Sequence, residues 1–191
     1  MEKKLNDYLR AGERVQWQGQ PESFQLMENG CKMQILRKWI LSVVVASGLL
    51  ACYLHFNEAP SVKFAVAVVL VAAVVMASPF FERKTLLKNR YWITNQRVIQ
   101  MTKELSFFYM ELSDIDAFKV EKDAAEGRCL VLGCRVFGDV KKQLRWRSSH
   151  PMVDAENQKG ANQAVGMILY GVNNAEAAEA ILRSAGCAQT V

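Results

Sequence analysis

The sequence lacks the residue patterns on which most catalytic and metal sites are built. Its 191 residues include two histidines and five cysteines, and no Cys-x-x-Cys pair occurs. Neither the Gly-x-x-x-x-Gly-Lys-Ser/Thr phosphate-binding loop nor the Gly-x-Ser-x-Gly nucleophile turn is found. These absences predict a protein that is not an enzyme and holds no metal or cofactor. The odd cysteine count favours reduced thiols in a cytosolic environment over a disulfide framework.

Charged side chains are missing from two long stretches, residues 39–57 and 64–81, although the whole chain carries a formal net charge of +5. The apolar runs 39–56 and 64–81 have 18 residues each. As helices they would be about 27 Å long, close to the ~30 Å hydrocarbon core of a bilayer. They predict a two-helix transmembrane hairpin with a short external loop at 57–63. A buried helical pair in a soluble protein is the alternative.

Basic residues flank this hairpin on one side only. The flanking set is Arg37, Lys38, Arg83, Lys84, Lys88 and Arg90. The loop holds one basic residue, Lys63, which Glu58 offsets. Because basic residues stay on the cytoplasmic side of a membrane, both termini are predicted to be cytoplasmic, with an N-terminal segment at 1–38 and a larger domain at 82–191. His55 lies at the end of a span, where we expect it to reach the headgroups rather than relay protons.

The predicted cytoplasmic domain consists of short runs rich in β-branched and aromatic residues, separated by turns. These runs predict about seven strands, at 91–94, 97–101, 105–111, 115–121, 128–137, 141–146 and 164–170. A helix is predicted to follow Asn174 and to end near Gly186. The polar stretch 148–162 is predicted to be a loop. Together these elements predict a small all-β barrel that the C-terminal helix caps.

Three segments of the chain resemble one known family. Residues 91–99, Tyr-Trp-Ile-Thr-Asn-Gln-Arg-Val-Ile, resemble the opening strand pair of bacterial pleckstrin-homology-like (PH-like) domains. Residues 111–115, Glu-Leu-Ser-Asp-Ile, resemble the family's Pro-Leu-Ser-x-Ile element, with Glu111 in place of Pro. Residues 12–21, Gly-Glu-Arg-Val-Gln-Trp-Gln-Gly-Gln-Pro, resemble the segment before the spans in membrane-anchored members. The resemblance implies a PH-like barrel on the cytoplasmic face of a bacterial inner membrane, and it implies no particular activity.

The signature residues, interpreted as structural rather than ligand-binding, are Tyr91, Thr94, Asn95 and Arg97. Thr94 and Asn95 have short polar side chains that can hydrogen-bond to the backbone of a turn. Arg97 is expected to pair with an acid at the barrel edge, either Glu111 or Asp114. Edge charges of this kind usually serve local pairing or solubility.

A basic stripe is the most suggestive candidate surface. In the predicted strand 141–146 and the residue after it, the two-residue period of a strand places four polar side chains on one face, namely Lys141, Gln143, Arg145 and Arg147. Cations held near a membrane attract anionic lipid, so the stripe is a candidate lipid or partner surface. An ordinary solvated strand face is the alternative. Nucleic acid is not expected, because exposed aromatic residues do not alternate with the cations.

These features together predict a membrane-anchored binding or scaffold module rather than an enzyme. Its partners would be the bilayer, an unidentified protein and, on the stripe, anionic lipid headgroups. The first alternative is an accessory subunit of a membrane transport or envelope-stress complex, assembled through the hairpin. The second is an enzyme that uses the loop 148–162, where His150 lies.

Overall fold

The computed structural model describes residues 5–27, 29–102, 106–123, 125–134 and 162–190. The helices are α1 (Asn29–Phe56), α2 (Val62–Leu86) and α3 (Ala175–Ser184). The strands are β1 (Val15–Gly19), β2 (Arg90–Thr94), β3 (Arg97–Met101), β4 (Phe107–Glu111), β5 (Ala117–Lys122), β6 (Arg128–Leu132), β7 (Met167–Leu169) and β8 (Ala188–Gln189). A 3₁₀ turn, Leu112–Asp114, links β4 to β5.

The two long apolar helices are confirmed. The segments Cys31–Phe56 and Val62–Leu86 are long and apolar enough to cross a membrane by length and composition. In their most apolar windows, 0% and 6% of the residues are buried, so their side chains face outward and not into a protein core. α1 begins ten residues before the first predicted span and so extends beyond the apolar run.

The first sheet has the antiparallel order β1-β2-β3-β4. In the pairing of β1 with β2, Gly19 lies opposite Tyr91 and Gln18 opposite Trp92. These two strands therefore form a β-hairpin whose connection is the whole pair of long helices. The segment before the helices, for which the sequence predicts no strand, shares a sheet with the domain after them.

The second sheet has the order β7-β6-β5-β8. Its pairs are antiparallel except for the short parallel pair of β5 with β8. Isolated bridges link the chain on either side of β7 to the first sheet, Tyr109 to Gln163 and Pro21 to Val172. Among the described residues these contacts do not join the sheets into a closed barrel. In the part of the chain that the structure describes, the architecture is thus two apolar helices, two four-stranded sheets and a helix near the C-terminal end.

Strand β6 ends at Leu132, earlier than the predicted end at 137. The next residue, Gly133, has φ +89°, and a Cβ there would lie 2.8 Å from the carbonyl oxygen of Val165. Only glycine tolerates this backbone and this approach at once. The predicted strand 141–146 and most of the predicted loop 148–162 lie outside the described residues.

The main core lies between the two sheets and α3. Its fully buried side chains include Ile93, Phe118, Leu130 and Leu182, one from each of four elements. Acidic Glu176 begins α3 and Arg183 is in its last turn, an order that suits the helix dipole.

The opposite face of the first sheet is covered by the start of the described chain. Leu5, Tyr8 and Leu9 pack against an outer cluster that includes Trp92 and Ile99. Strands β2 and β3 are therefore buried on both faces, which accounts for the adjacent apolar residues 91–93 and 98–99 within them.

Candidate functional site

Arg97 forms a buried ion pair with Glu13, and not the predicted pair with Glu111 or Asp114. Its Nε lies 2.9 Å from Glu13 Oε1 and its Nη2 lies 3.0 Å from Oε2, with side-chain exposures of 4% and 0%. Glu111 instead accepts hydrogen bonds from Arg10, at 2.6 and 3.2 Å. The bidentate geometry is the strongest form of a carboxylate–guanidinium pair.

Two tyrosine rings enclose the Arg97 guanidinium. Its central carbon lies 4.8 Å from the centroid of Tyr8 and 4.8 Å from that of Tyr109. Its Nη2 also donates to the carbonyl oxygen of Tyr8 at 2.9 Å. Cation–π contacts compensate part of the hydration that a buried arginine loses. Arg97 thus binds the N-terminal segment to the sheet through its Nε and Nη2 atoms.

Glu13 is held in its ionised form. Burial alone would raise the pKa of this carboxyl, but hydrogen bonds from Arg97, from the backbone N–H of Arg10 and from Thr94 outweigh burial and lower the pKa below its usual value. Thr94 Oγ1 also accepts the backbone N–H groups of Gln96 and Arg97. It therefore makes the turn hydrogen bonds predicted for it.

The other two signature residues also join segments that are distant in sequence. Asn95 Oδ1 accepts the backbone N–H of Arg14 at 2.8 Å, and its Nδ2 donates to the carbonyl oxygen of Gly12 at 3.4 Å. The Tyr91 hydroxyl accepts the backbone N–H of Tyr170 at 3.2 Å. Sequence reasoning missed Glu13, although it stands beside Gly12 in the segment that resembles the family.

The base of the long helices packs onto the second sheet. From α2, Leu86 joins a buried cluster with Cys129, Val131 and Tyr170. From α1, Cys31 and Ile35 pack with Leu26 and with Ala125 of the turn between β5 and β6. The helices are consequently held by side-chain packing as well as by the two chain connections.

The six predicted flanking cations divide into two groups. The inward cations are Lys38, Arg83 and Arg90. Lys38 donates to Ser78 and lies 3.8 Å from Glu82. The other two donate to carbonyl oxygens, Arg83 to that of Phe24 at 2.6 Å and Arg90 to those of Leu87 and Asn89.

The remaining flanking cations, Arg37, Lys84 and Lys88, are exposed. Lys32, one turn into α1, is exposed as well. We call these four residues the outward cations. Among the described residues none of them has a side-chain hydrogen bond or an ion pair.

Two groups with raised pKa values lie close together, Asp123 in the tight turn between β5 and β6 and Cys129 in β6. Burial raises the pKa of Asp123, whose Oδ1 accepts the backbone N–H groups of Ala125 and Gly127. Burial also raises the pKa of the Cys129 thiol well above its usual value, which makes it a poor nucleophile at neutral pH. Within the described ranges, no group of three or more His, Cys, Asp or Glu residues could hold a metal ion.

An apolar groove of about 560 Å³ runs between α1 and α2. Small residues form part of its lining, Ser42 and Ala46 from α1 and Ala67 and Ala72 from α2. At the end nearer the sheets, Lys38 lines it. At the other end, the Tyr53 and Phe64 rings lie 4.1 Å apart and close the helix pair.

The predicted basic stripe of Lys141, Gln143, Arg145 and Arg147 lies outside the described residues. Comparison of the chain with models of known protein families, with curated proteins and with solved structures finds no match. Function must therefore be argued from the geometry and from the sequence patterns.

Proposed function

We propose that this chain is a membrane-anchored binding or scaffold module of the bacterial inner membrane. Its two long helices cross the bilayer, and its two sheets form a PH-like domain on the cytoplasmic side. The domain presents a surface to a protein partner or to anionic headgroups and performs no chemistry. The observation that carries the proposal is a pair of outward-facing apolar helices that leave the sheets through one β-hairpin connection.

Three features support the membrane part of this proposal. Both helices exceed the length that a hydrocarbon core requires. Large apolar side chains on them are exposed, including Leu70 at 60% and Val74 at 68%. The six predicted flanking cations all lie at the end of the helices next to the sheets, in agreement with a cytoplasmic domain.

The PH-like part of the proposal draws on the arrangement of the sheets. Two antiparallel-rich sheets enclose one core, and a helix near the C-terminal end packs into it. The segment that resembles the family's opening strand pair forms β2, the turn and the first part of β3. The buried Glu13–Arg97 pair gives two of the resembling segments a shared structural role.

Cysteine labelling tests the membrane topology directly. Cys134 is exposed on the sheet side and Cys52 is exposed on α1, whereas Cys31, Cys129 and Cys187 are buried. All proteins in the test therefore carry Cys52→Ser. In right-side-out spheroplasts, a membrane-impermeant maleimide should label Cys134 only after the membrane is opened. Adding Ser61→Cys and Cys134→Ser should give labelling in intact spheroplasts, with Cys134→Ser without Ser61→Cys as the control. Labelling of Cys134 in intact spheroplasts would contradict a cytoplasmic domain.

In-cell crosslinking followed by purification of the intact protein tests the binding role. A specific protein crosslinked to the sheet domain would support the module. If crosslinks form only with lipid, the protein-partner version is wrong and the headgroup version stands. The absence of both kinds of crosslink from membrane-inserted protein would oppose the proposal.

The groove between α1 and α2 favours a second candidate function, that of an accessory subunit assembled through its hairpin. Small residues along a helix surface allow close approach of another helix in a membrane. Replacement of both long helices by an unrelated transmembrane hairpin separates the two candidates. Retention of the crosslinked partner would exclude the hairpin as the assembly surface.

A further inference from the structure

The two groups of flanking cations differ in what they face. The inward cations Lys38, Arg83 and Arg90 bind oxygen atoms of the protein itself. Arg83 additionally lies 5.7 Å above the ring of Phe24. Lys38 joins the two helices, Arg83 joins α2 to the segment after β1, and Arg90 binds the connection between α2 and β2. Their charges are therefore already engaged within the fold.

Lys84 in the last turn of α2 and Lys88 in the turn that follows it continue the lipid-facing surface of this helix. Phe80 and Phe81 are 54% and 67% exposed. Lys84 follows Phe80 by four residues and Lys88 follows Lys84 by four, so the three side chains share one face and rise by about 6 Å at each step. The helical turn persists to Lys88, because the backbone N–H of Lys88 donates to the carbonyl oxygen of Thr85 at 3.1 Å.

The same transition occurs on α1. Ile40 is 64% exposed, and exposed Arg37 precedes it by one helical turn. Ile35, which packs toward the sheets, lies on a different face of the helix from Arg37. On both helices the exposed cations follow the long exposed apolar run, and on α1 one exposed apolar side chain, Met33 at 56%, lies among them.

Contacts between the helices fix the relative heights of these cations. Trp39 Nε1 donates to the carbonyl oxygen of Met76 at 2.9 Å, and Lys38 donates to Ser78. Counted along the helix axis from these contacts, Lys32 on α1 lies at the same level as Lys84 on α2. Arg37 lies about 8 Å from that level, toward the apolar middle of the helices. The outward cations therefore form one band at the end of the helices next to the sheets.

We propose that the outward cations Lys32, Arg37, Lys84 and Lys88 bind the phosphate groups of anionic phospholipids in the cytoplasmic leaflet. This inference rests on the proposed function, since it requires that the helices cross a bilayer. Phe80 and Phe81 end the apolar run of α2, so Lys84, about one helical turn further along, stands just outside the hydrocarbon core at phosphate height. The surface potential of an anionic leaflet attracts cations at that position. The inward cations take no part.

The test measures lipid enrichment around the intact purified protein. Protein in mixed micelles of phosphatidylglycerol and phosphatidylcholine is captured, and the bound lipids are quantified by mass spectrometry. The wild type should enrich phosphatidylglycerol, and added salt should reduce the enrichment. We call the triple variant Arg37→Gln, Lys84→Gln, Lys88→Gln the band variant. Its phosphatidylglycerol enrichment should be at least fivefold lower than that of the wild type. The matched control Arg14→Gln, Lys63→Gln, Lys122→Gln removes the same charge from exposed cations outside the band.

The outcomes are separable. If the band variant keeps full enrichment with an unchanged unfolding transition, the inference is wrong. If both triple variants lose enrichment equally, net charge and not the band is responsible, and the inference is again wrong. Carbonate extraction of the wild type decides the proposed function independently. If carbonate releases the wild-type protein, the proposed membrane anchor is wrong. If carbonate leaves the protein in the membrane and the band variant still enriches phosphatidylglycerol, only the lipid-binding inference is wrong.

Discussion

The long helices and the sheet core contain the same kinds of side chain in opposite surroundings. Leu70 in α2 is 60% exposed, while Leu130 in β6 is fully buried. The helices satisfy their backbone hydrogen bonds internally and can leave their side chains outside, as a bilayer requires. The strands need neighbours for their backbone groups, and this pairing brings their side chains into a common core. Leucine is thus exposed in one region and buried in the other because the two kinds of backbone satisfy their hydrogen bonds differently.

Among the changes that test this comparison, removal of the hairpin should have the largest effect on the protein. We expect replacement of residues 28–85 by a flexible linker of about twelve Gly and Ser residues to abolish membrane association while β1 still pairs with β2, because Gly19 and Tyr91 are direct neighbours. Cell fractionation and circular dichroism check both parts. Fragment 89–191, which lacks β1 and the covering residues Leu5 and Tyr8, is the control and should not unfold cooperatively. Loss of folding in the linked protein would show that the sheets depend on the helices.

Within the sheets, the buried ion pair should be the most sensitive polar contact. Arg97→Gln leaves Glu13 buried without its partner and should lower the free energy of unfolding by about 3–5 kcal/mol. Arg10→Gln, at the exposed pair with Glu111, should cost less than about 1 kcal/mol. Denaturant unfolding in detergent measures both. Equal losses would mean that burial does not distinguish the two pairs.

A matched pair of leucine substitutions compares the regions directly. Leu130→Ala removes fully buried methyl groups and should cost about 2–5 kcal/mol. Leu70→Ala removes the same atoms from an outward-facing position and should change stability by less than about 0.5 kcal/mol. Thermal unfolding in one detergent measures both. A large cost at Leu70 would place that side chain in a packed interface, as the accessory-subunit alternative requires.

Acid should weaken the attachment of the N-terminal segment. The pKa of Glu13 is lower in the folded chain than its ordinary value of 4.5, so the unfolded chain binds more protons as the pH falls below that value. The stabilising contribution of Glu13 is therefore present above pH 4.5 and is lost as the pH falls through the folded pKa. In unfolding measured against pH, Glu13→Gln should be less stable than the wild type at pH 7, and the difference should shrink in acid. A constant difference would contradict this linkage.

The smallest expected effect is at Asp123, and its sign is opposite. The pKa of this carboxyl is raised by burial, so its ionised form opposes folding at neutral pH. Asn can accept the same backbone N–H groups of Ala125 and Gly127 without the charge. Asp123→Asn should stabilise the protein by up to about 0.5 kcal/mol at pH 7, and the gain should vanish in acid. If Asp123→Asn is less stable than the wild type, the ionised carboxylate of Asp123 stabilises the fold and the prediction is wrong.

The sequence was informative wherever the signal is local. A charge-free run of 18 residues fixes a long apolar helix, and short runs of β-branched and aromatic residues separated by a turn locate strands such as β2 and β3. The pairing of β1 with β2 is not local, because the whole hairpin separates the two strands. The predicted partner of Arg97 is wrong for the same reason. The sequence pattern points to the nearby acids Glu111 and Asp114, whereas the observed partner, Glu13, is 84 positions away.

The position of the hairpin between β1 and β2 also delays the pairing of these strands during synthesis of the chain. Seventy residues separate Gly19 from Arg90, so at about 5–20 residues per second β1 waits roughly 4–14 seconds for its partner. If the helices cross a bilayer as proposed, both must do so before β1 and β2 can meet. A chain with one helix inserted would leave these strands in different compartments. β1 and β2 would then pair only in chains whose two helices had both inserted. Formation of the first sheet would therefore distinguish correctly inserted chains from partly inserted ones.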